Sequence, residues 1–408
     1  MRVSTSWIYQ QSLSTMQAQQ SALLDSQNQV STGRRINVAS DDPAGAAQMI
    51  GIDHTLAQND QYGSNIDAAN TRLSTEESTL DSVTGLLDRA QSLALGSLNG
   101  ALSQQDLDGV ATELGQIRDQ LMQYANATDA NGNALFAGTG NVKAPFVKQA
   151  DGSVSYAGTD AQQMAAIGPG LTIPTGDAGS AVFMDIPAGN GSFVASAGSG
   201  NTGSLVVGAN SVTDPAAWSA AAGTAGGGFT VSFDGDGNWT VADGDGNPLL
   251  DADGDPVGGT YTDGGSIAFD GISINLSGTP ADGDTVDVAA GQSQDMFATL
   301  DNMIAALEAG DGTDFTNIMN RQLESLGQAL DTVTRTQVAI GGRMDVLSQQ
   351  GTAYSSLGVT YQAALTSVRD VDPYTAISNL SLQSTALQAS QQVFAATKSL
   401  SLFNYLRD

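Results

Sequence analysis

Glycine and proline are concentrated in the middle of this chain, which limits what its two ends can be. Residues 140–291 hold 30 of the 48 glycines and 8 of the 10 prolines. Both residues interrupt helices, glycine through backbone freedom and proline through its missing N–H. The two remaining prolines, Pro43 and Pro373, each follow an aspartate. Aspartate offers a side-chain oxygen as N-cap, and proline fits the first helical position, where an N–H would have no partner anyway. The ends therefore read as long helical segments with new starts at Asp42-Pro43 and Asp372-Pro373, and the middle as turn-rich.

Apolar periodicity supports this division. Tyr9, Leu13, Met16, Gln20, Leu23, Gln27 and Val30 alternate spacings of four and three, the stripe of a helix from about Thr5 to Val30. Two of these are glutamine, so that seam is only partly apolar. Ile66, Ala69, Leu73, Leu80, Val83, Leu87 and Ala90 share one face of a second helix, which Asn99-Gly100 ends. Leu107, Leu114, Ile117 and Leu121 mark a third, followed by a short apolar strand over Ala134–Ala137. Helix returns near Gln294, with a stripe from Leu326 to Leu347. After Pro373 the heptad seam is unbroken: Leu382, Ala386, Ala389, Val393, Ala396, Leu400 and Phe403, widened by Ile377, Leu380, Leu387 and Phe394.

The middle reads as short strands. Thr230–Phe233 and Trp239–Val241 flank Asp-Gly-Asp-Gly-Asn as a hairpin, and Ser266–Phe269 and Ile272–Leu276 alternate as half-buried strands do. One or two β domains of sandwich or barrel type follow. The fold class is α+β multidomain: long N- and C-terminal helices forming a coiled-coil or helical rod, and a central, mostly-β outer domain. The segments are 1–42 (N-terminal helix), 43–139 and 291–371 (two parts of the rod), 140–290 (β domain) and 372–408 (C-terminal helix).

A final helix of about 34 residues would be about 50 Å long. Ordering it costs about 1–2 kcal/mol per residue, and its large apolar side chains return about 1.5–3 kcal/mol each only when fully buried. Pairing with a glutamine-interrupted N-terminal helix cannot bury so wide a face. The terminal helices are expected to pair with each other and to need other subunits. A self-contained helical bundle capping a β domain is the plainer alternative.

Charge separates ends from middle. The net charge is −29, and residues 149–320 contain no Lys or Arg but 22 of the 43 acidic residues. Such a balance argues against nucleic acid and anionic membranes as partners, and makes the middle a poor surface for self-association. There is no Cys, so disulfides and thiolate metal sites are excluded. The N-terminus lacks the apolar core of a signal peptide, and no run of about 18 apolar residues is present to span a membrane.

Candidate chemistry is thin. His54 is the sole histidine, and the adjacent Asp53 points elsewhere on a helix, so no triad forms. The runs beginning at Asp234, Asp243 and Asp251 resemble the start of a calcium loop. Their sixth positions are Trp239, Pro248 and Pro256 and their twelfth Asp245, Gly254 and Thr262, where an EF-hand needs Gly and Glu. Hairpin turns explain them without metal. No catalytic residue, cofactor or metal site is assigned.

One stretch is more specific. In Ser31-Thr32-Gly33-Arg34-Arg35-Ile36-Asn37-Val38-Ala39-Ser40-Asp41-Asp42-Pro43-Ala44-Gly45, Gly33 can close a helix in the left-handed conformation, and Arg34 and Arg35 sit at its negative C-terminal end. The stretch resembles the N-terminal joint of flagellin-type proteins. The opening Met1-Arg2-Val3-Ser4-Thr5 resembles the start of the flagellar hook-associated protein 3 family. So do Asn131–Thr139, with Leu135-Phe136-Ala137-Gly138, then Ala144-Pro145-Phe146, Tyr156-Ala157-Gly158-Thr159 and Ile167-Gly168-Pro169-Gly170. The C-terminus, ending Tyr405-Leu406-Arg407-Asp408, lacks the usual flagellin closing residues. The resemblance covers roughly 1–145 and 290–408.

The resemblance implies a structural subunit of the bacterial flagellum, not an enzyme, that joins hook to filament. It implies terminal helices side by side in an inner tube, assembled as a homo-oligomeric ring or tube, and unfolded passage through the type III export channel without a cleaved signal. Partners would be a neighbouring hook-associated protein, flagellin on the filament side and a cytoplasmic export chaperone, and the site would be extracellular. The assembly interface would comprise Tyr9, Leu13, Met16, Leu23, Val30, Leu382, Ala386, Ala389, Val393, Ala396, Leu400 and Phe403. The joints would be Gly33, Arg34, Arg35, Asp42, Pro43, Asp372 and Pro373. Filament flagellin itself is the alternative, and a secreted enzyme with helical assembly ends a distant one.

Overall fold

The structure, a computed structural model, describes residues 5–224, 228–251, 253–310 and 312–399. Met1–Ser4, Leu400, Phe403 and the closing Tyr405–Asp408 lie outside the described residues. The chain runs through α1 (Thr5–Thr32), α2 (Pro43–Ser97) and α3 (Gln104–Ala125) into a β-rich region. There follow β1 (Phe146–Lys148), β2 (Val154–Tyr156), β3 (Met164–Gly168), β4 (Leu171–Pro174), a π-helical turn over Ser180–Met184, β5 (Ile186–Pro187), β6 (Phe193–Ala197), β7 (Val206–Val207) and β8 (Ser211–Val212). A short helix, α4 (Pro215–Thr224), precedes β9 (Phe229–Phe233), β10 (Asn238–Asp243), β11 (Gly258–Thr260), β12 (Ser266–Phe269), β13 (Ile272–Ser277), β14 (Thr285–Ala290) and β15 (Ser293–Gln294). The chain then returns to helix in α5 (Met296–Ala309), α6 (Thr313–Arg369) and α7 (Pro373–Ser399). Long helices at both ends enclose a β-rich centre, as composition required.

The chain forms two compact units. One holds residues up to Asn65 and from Gln349 onward; the other is Ile66–Ser348.

In the larger unit, the expected helical stripes are buried. Leu73, Leu80, Val83, Leu87 and Ala90 of α2 have no exposure, and neither do Leu114 and Leu121 of α3 or Leu326, Val333 and Ile340 of α6. Ser103 caps α3 in a reciprocal box with Asp106. Arg118 ties α3 to α5 through Asp301 at 2.6 Å. Gly310, at φ +103°, separates α5 from α6, a break that sequence periodicity did not signal.

The β core is a two-sheet sandwich. One sheet runs β11-β10-β9-β14-β6 and the other β12-β13-β7, with β8 also pairing β13. The expected hairpins are present: Trp239 pairs with Phe233, and Phe269 with Ile272. Inward Phe193, Phe229, Val231, Ile267, Ile274 and Val286 share one core, closed by Trp218 of α4. In all three Asp-Gly runs the leading carboxylate serves its own turn: Asp234 Oδ1 accepts from the amides of Asp236 and Asn238, Asp243 Oδ1 from Asp245 and Asn247, and Asp251 Oδ1 from Asp253 and Asp255. Asx-type turns thus account for these runs.

A polar stripe on α6 finishes the sandwich. The β7 edge would leave backbone groups unpaired. Asn317 accepts from the Val207 amide at 2.7 Å and donates to the Leu205 carbonyl at 3.0 Å; Asn320 donates to the Val207 carbonyl at 2.9 Å. The two amide side chains take the place of a neighbouring strand.

The expected strand over Ala134–Ala137 is absent. Ala134 and Ala137 make isolated bridges, to Thr128 and Ala178. The Ala134 and Leu135 carbonyls accept from Arg72 instead, so no continuous ladder can form.

Candidate assembly interface

The sequence motifs act mainly at the joint between helices in the smaller unit. Gly33, at φ +69°, donates to the Gln29 carbonyl and ends α1 in a left-handed cap. The chain then runs antiparallel to the stretch between α6 and α7. Arg34 bridges Asp370, the Arg35 amide donates to the Arg369 carbonyl at 2.7 Å, and the Val371 amide donates to the Gly33 carbonyl at 3.0 Å. The two joints therefore form one structure, a pairing that neither shows by itself. Arg35 also extends a forked side chain, one nitrogen on Asp42 at 3.0 Å and the other on the Val368 carbonyl at 2.7 Å.

Both caps form where Asp-Pro predicted them. Asp42 Oδ1 accepts from the Gly45 amide at 2.9 Å, and α2 begins at Pro43. Asp372 accepts from the Thr375 amide and hydroxyl, and α7 begins at Pro373. The Gly45 amide, then the Arg35 guanidinium, holds the Asp42 carboxyl below the usual carboxylate range. For Asp372 the Thr375 hydroxyl and then its amide do the same. Ile36 is buried beneath the turn, and a Cβ on Gly45 would lie 2.6 Å from Ile36 Cδ1.

Beyond the joint, α1 and α7 pack against each other, with Tyr9 and Phe394 at 4.9 Å between ring centroids. The face of α1 taken out of solvent carries Ser12, Met16, Gln19, Leu23 and Ser26. The face of α7 carries Ala376, Leu380, Leu387, Ser390 and Phe394. The structure thus brings together Met16 and Leu23 with the residues that widen the C-terminal seam. Tyr9, though 43 % exposed, packs on Phe394. Of the remaining residues named from the sequence, Leu13, Val30, Ala389 and Ala396 are exposed and Ala386 is half-buried. Leu382 is 65 % exposed and Val393 63 %. The large described side chains of the C-terminal seam, Leu382 and Val393, are therefore mostly exposed in the single chain.

A second contact within this unit pairs α2 with α6. Asn59, buried, donates to the Tyr354 carbonyl at 3.0 Å, and Tyr62 packs on Tyr354 at 5.4 Å. Gly358 leaves room for the amide, since its Cβ would lie 3.3 Å from Asn59 Nδ2. His54 and Asp53 are both exposed on α2.

The remaining motifs fold into the larger unit as one aromatic corner. Phe136, Phe146 and Phe183 pack edge to face, with centroids 5.0 and 5.3 Å apart. The Tyr156 hydroxyl donates to the Phe136 carbonyl at 2.9 Å, and Asn126 bonds both backbone groups of Phe146. A Cβ on Gly138 would strike Thr159, and one on Gly158 the Tyr156 ring, so these motif glycines permit close approach.

Similarity to known proteins follows the same division. The bacterial flagellin N-terminal helical region matches residues 3–141, and the bacterial flagellin C-terminal helical region matches residues 323–406. The flagellar hook-associated protein 3 of Salmonella typhimurium is 38 % identical over 186 residues, 46 % of this chain and 58 % of that protein. The protein of the same name from Escherichia coli is 26 % identical over 99 % of both chains. A crystal structure of Xanthomonas campestris FlgL superposes with a TM-score of 0.63 at 30 % identity, covering 71 % of this chain and 92 % of that one. These relatives are structural flagellar proteins rather than known enzymes. With helical ends, β-rich centre and motifs all in agreement, the chain belongs to the flagellar hook-associated protein 3 (FlgL) family of flagellin-like proteins.

Proposed function

We propose that this protein is a structural, non-enzymatic subunit of the bacterial flagellum, assembling through its α1–α7 pair into a ring or tube between hook and filament. The exposure of the large apolar side chains Leu382 and Val393 carries this reading. Within α1 the only ionisable charge is Asp25, and within α7 only Lys398, in a chain of net charge −29. Copies can therefore approach through α1 and α7 without the like-charge repulsion that keeps the acidic centre apart. Leu382 and Val393 then meet adjacent subunits, while Leu380, Leu387 and Phe394 hold α7 to α1.

The hook-side partner is a neighbouring hook-associated protein and the filament-side partner is flagellin. The joint at Arg35, Asp42 and Asp372 lets the terminal pair change angle between the two lattices. Before assembly the chain passes unfolded through the type III export channel to the extracellular flagellum. A cytoplasmic chaperone shields the open α7 seam until then.

Electron microscopy of cells lacking the gene, with flagellin assayed in the medium, tests the reading. Bare hooks with flagellin shed as monomer are expected. Normal flagella would overturn it, and bare hooks with no other flagellin present would make this chain the filament subunit. Val393→Asp is expected to leave the β sandwich folded and abolish incorporation; normal filament attachment in that variant would remove the assigned role of the seam.

A further inference from the structure

The larger unit contains a buried charge cluster that the assembly reading does not use. Glu76 of α2 is completely buried, and Asp177, on the turn after β4, is 8 % exposed. The Asp177 amide donates to Glu76 Oε1 at 3.0 Å. Arg343 of α6 grips the Asp177 carboxylate with both terminal nitrogens, at 2.8 and 2.9 Å, and Gln162 adds a third bond at 2.7 Å. Arg72, one helical turn before Glu76, pairs with Asp129 from the turn after α3 at 3.0 Å and spends its remaining terminal nitrogen on the Ala134 and Leu135 carbonyls. Asp160, on the turn before β3, accepts from the Ser180 hydroxyl and is not among the charges that act on Glu76.

Charge counting singles out one member. Arg72 and Arg343 supply two positive charges; Glu76, Asp129 and Asp177 supply three carboxyls. Each guanidinium is paired with an aspartate. Glu76 has neither a paired cation nor access to water, and its Oε2 has no hydrogen-bond partner. Gly176 keeps the turn pressed against this spot, since its Cβ would lie 3.3 Å from both Glu76 Oε2 and Arg72 Nε. An unpaired buried carboxylate is far costlier than a neutral acid in the same place.

We propose that Glu76 keeps its proton in the folded protein, and that the cluster is a proton-sensitive clasp holding the turn at residues 175–178 onto α2 and α6. Burial first, then the neighbouring Asp177 charge, pushes the Glu76 carboxyl up to about 8, from an ordinary value of 4.5. Folded chains then hold a proton that unfolded chains release. Stability falls as pH rises from about 5 to about 8, and the effect is complete above that. Burial also raises Asp295 and Glu324, which slope in the same direction, so the difference between a Glu76 variant and the parent is the informative quantity.

The test is thermal unfolding of the full chain by circular dichroism between pH 5 and 9, for the parent protein and Glu76→Gln. Glutamine keeps the shape and cannot ionise. The expected result is a midpoint advantage for the variant that widens by several degrees from pH 5 to 8 and then stays constant. A difference that does not change with pH would overturn the proposal. Should Glu76→Gln fail to fold, infrared spectroscopy of the parent decides. A carboxylic-acid carbonyl band at pH 7 is expected, and Asp177→Asn, which frees Arg343 to pair with Glu76, should lose it. Absence of that band in the parent would overturn the clasp.

Discussion

The guanidinium of Arg35 donates to the backbone carbonyl of Val368 at 2.7 Å, across 333 residues of chain. The same side chain pairs with Asp42, so a single residue ties the start of α2 to the end of α6. Arg35→Ala should release both. Faster amide hydrogen exchange is expected at residues 33–45 and 368–376, with the β sandwich unchanged. Arg35→Lys should fail to restore it, because an ammonium group cannot reproduce the fork.

Acid should loosen the same joint. Asp42 and Asp372 both titrate below the usual carboxylate range because backbone amides and side-chain donors favour their charged forms. A carboxyl lowered by folding contributes fully at neutral pH, and that contribution is lost as pH falls through its lowered value. Protection factors near the two caps, exchange corrected for its intrinsic pH dependence, should therefore fall at the acid end, and Asp42→Asn should blunt the change.

Two helical glycines should respond oppositely to alanine. A Cβ at Gly45 meets Asp42 and Ile36, so Gly45→Ala is expected to destabilise by about 1–3 kcal/mol, as overpacking does. Nothing lies within 4 Å of a Cβ at Gly51, so Gly51→Ala should stabilise by about 0.4–1 kcal/mol. Chemical denaturation followed by helical circular dichroism separates the two.

Removing the amide that closes the β7 edge should weaken the sandwich. Asn317→Leu leaves the Val207 amide and the Leu205 carbonyl buried without a partner, at a cost of about 1–3 kcal/mol. Fluorescence of the buried Trp218 during denaturation would detect it.

Two residues on different faces of α7 should separate folding from assembly. Phe394→Ala removes the ring packed on Tyr9 and should loosen α7 from α1, seen as faster exchange along both helices. Leu382→Asp lies on the exposed seam and should leave exchange within the pair unchanged while blocking incorporation.

Local chemistry made several features readable from the sequence. The starts at Pro43 and Pro373 depend on an aspartate and a proline side by side, and the buried stripes of α2 and α3 on spacing along one helix. The Asx turns at Asp234, Asp243 and Asp251 likewise bond within a few residues. The division into helical ends and a β centre followed from where glycine and proline could stand.

Tertiary structure decided what long-range contact controls. The seam Leu382–Val393 is an unbroken apolar line on α7, yet the residues withdrawn from solvent lie on the adjacent line, at Leu380, Leu387 and Phe394, and the withdrawn face of α1 includes Ser12, Gln19 and Ser26. Periodicity identifies a stripe but cannot say which neighbour covers it. No sequence pattern singles out Glu76, Asp177 or Arg343, because the bonds joining them span 101 and 166 residues. Burial turned them into a cluster with one carboxyl too many, and burial is a property of the packed chain: the sequence determined the long helices, the hairpins and the two Asp-Pro caps, while the fold determined which side chains lose water together.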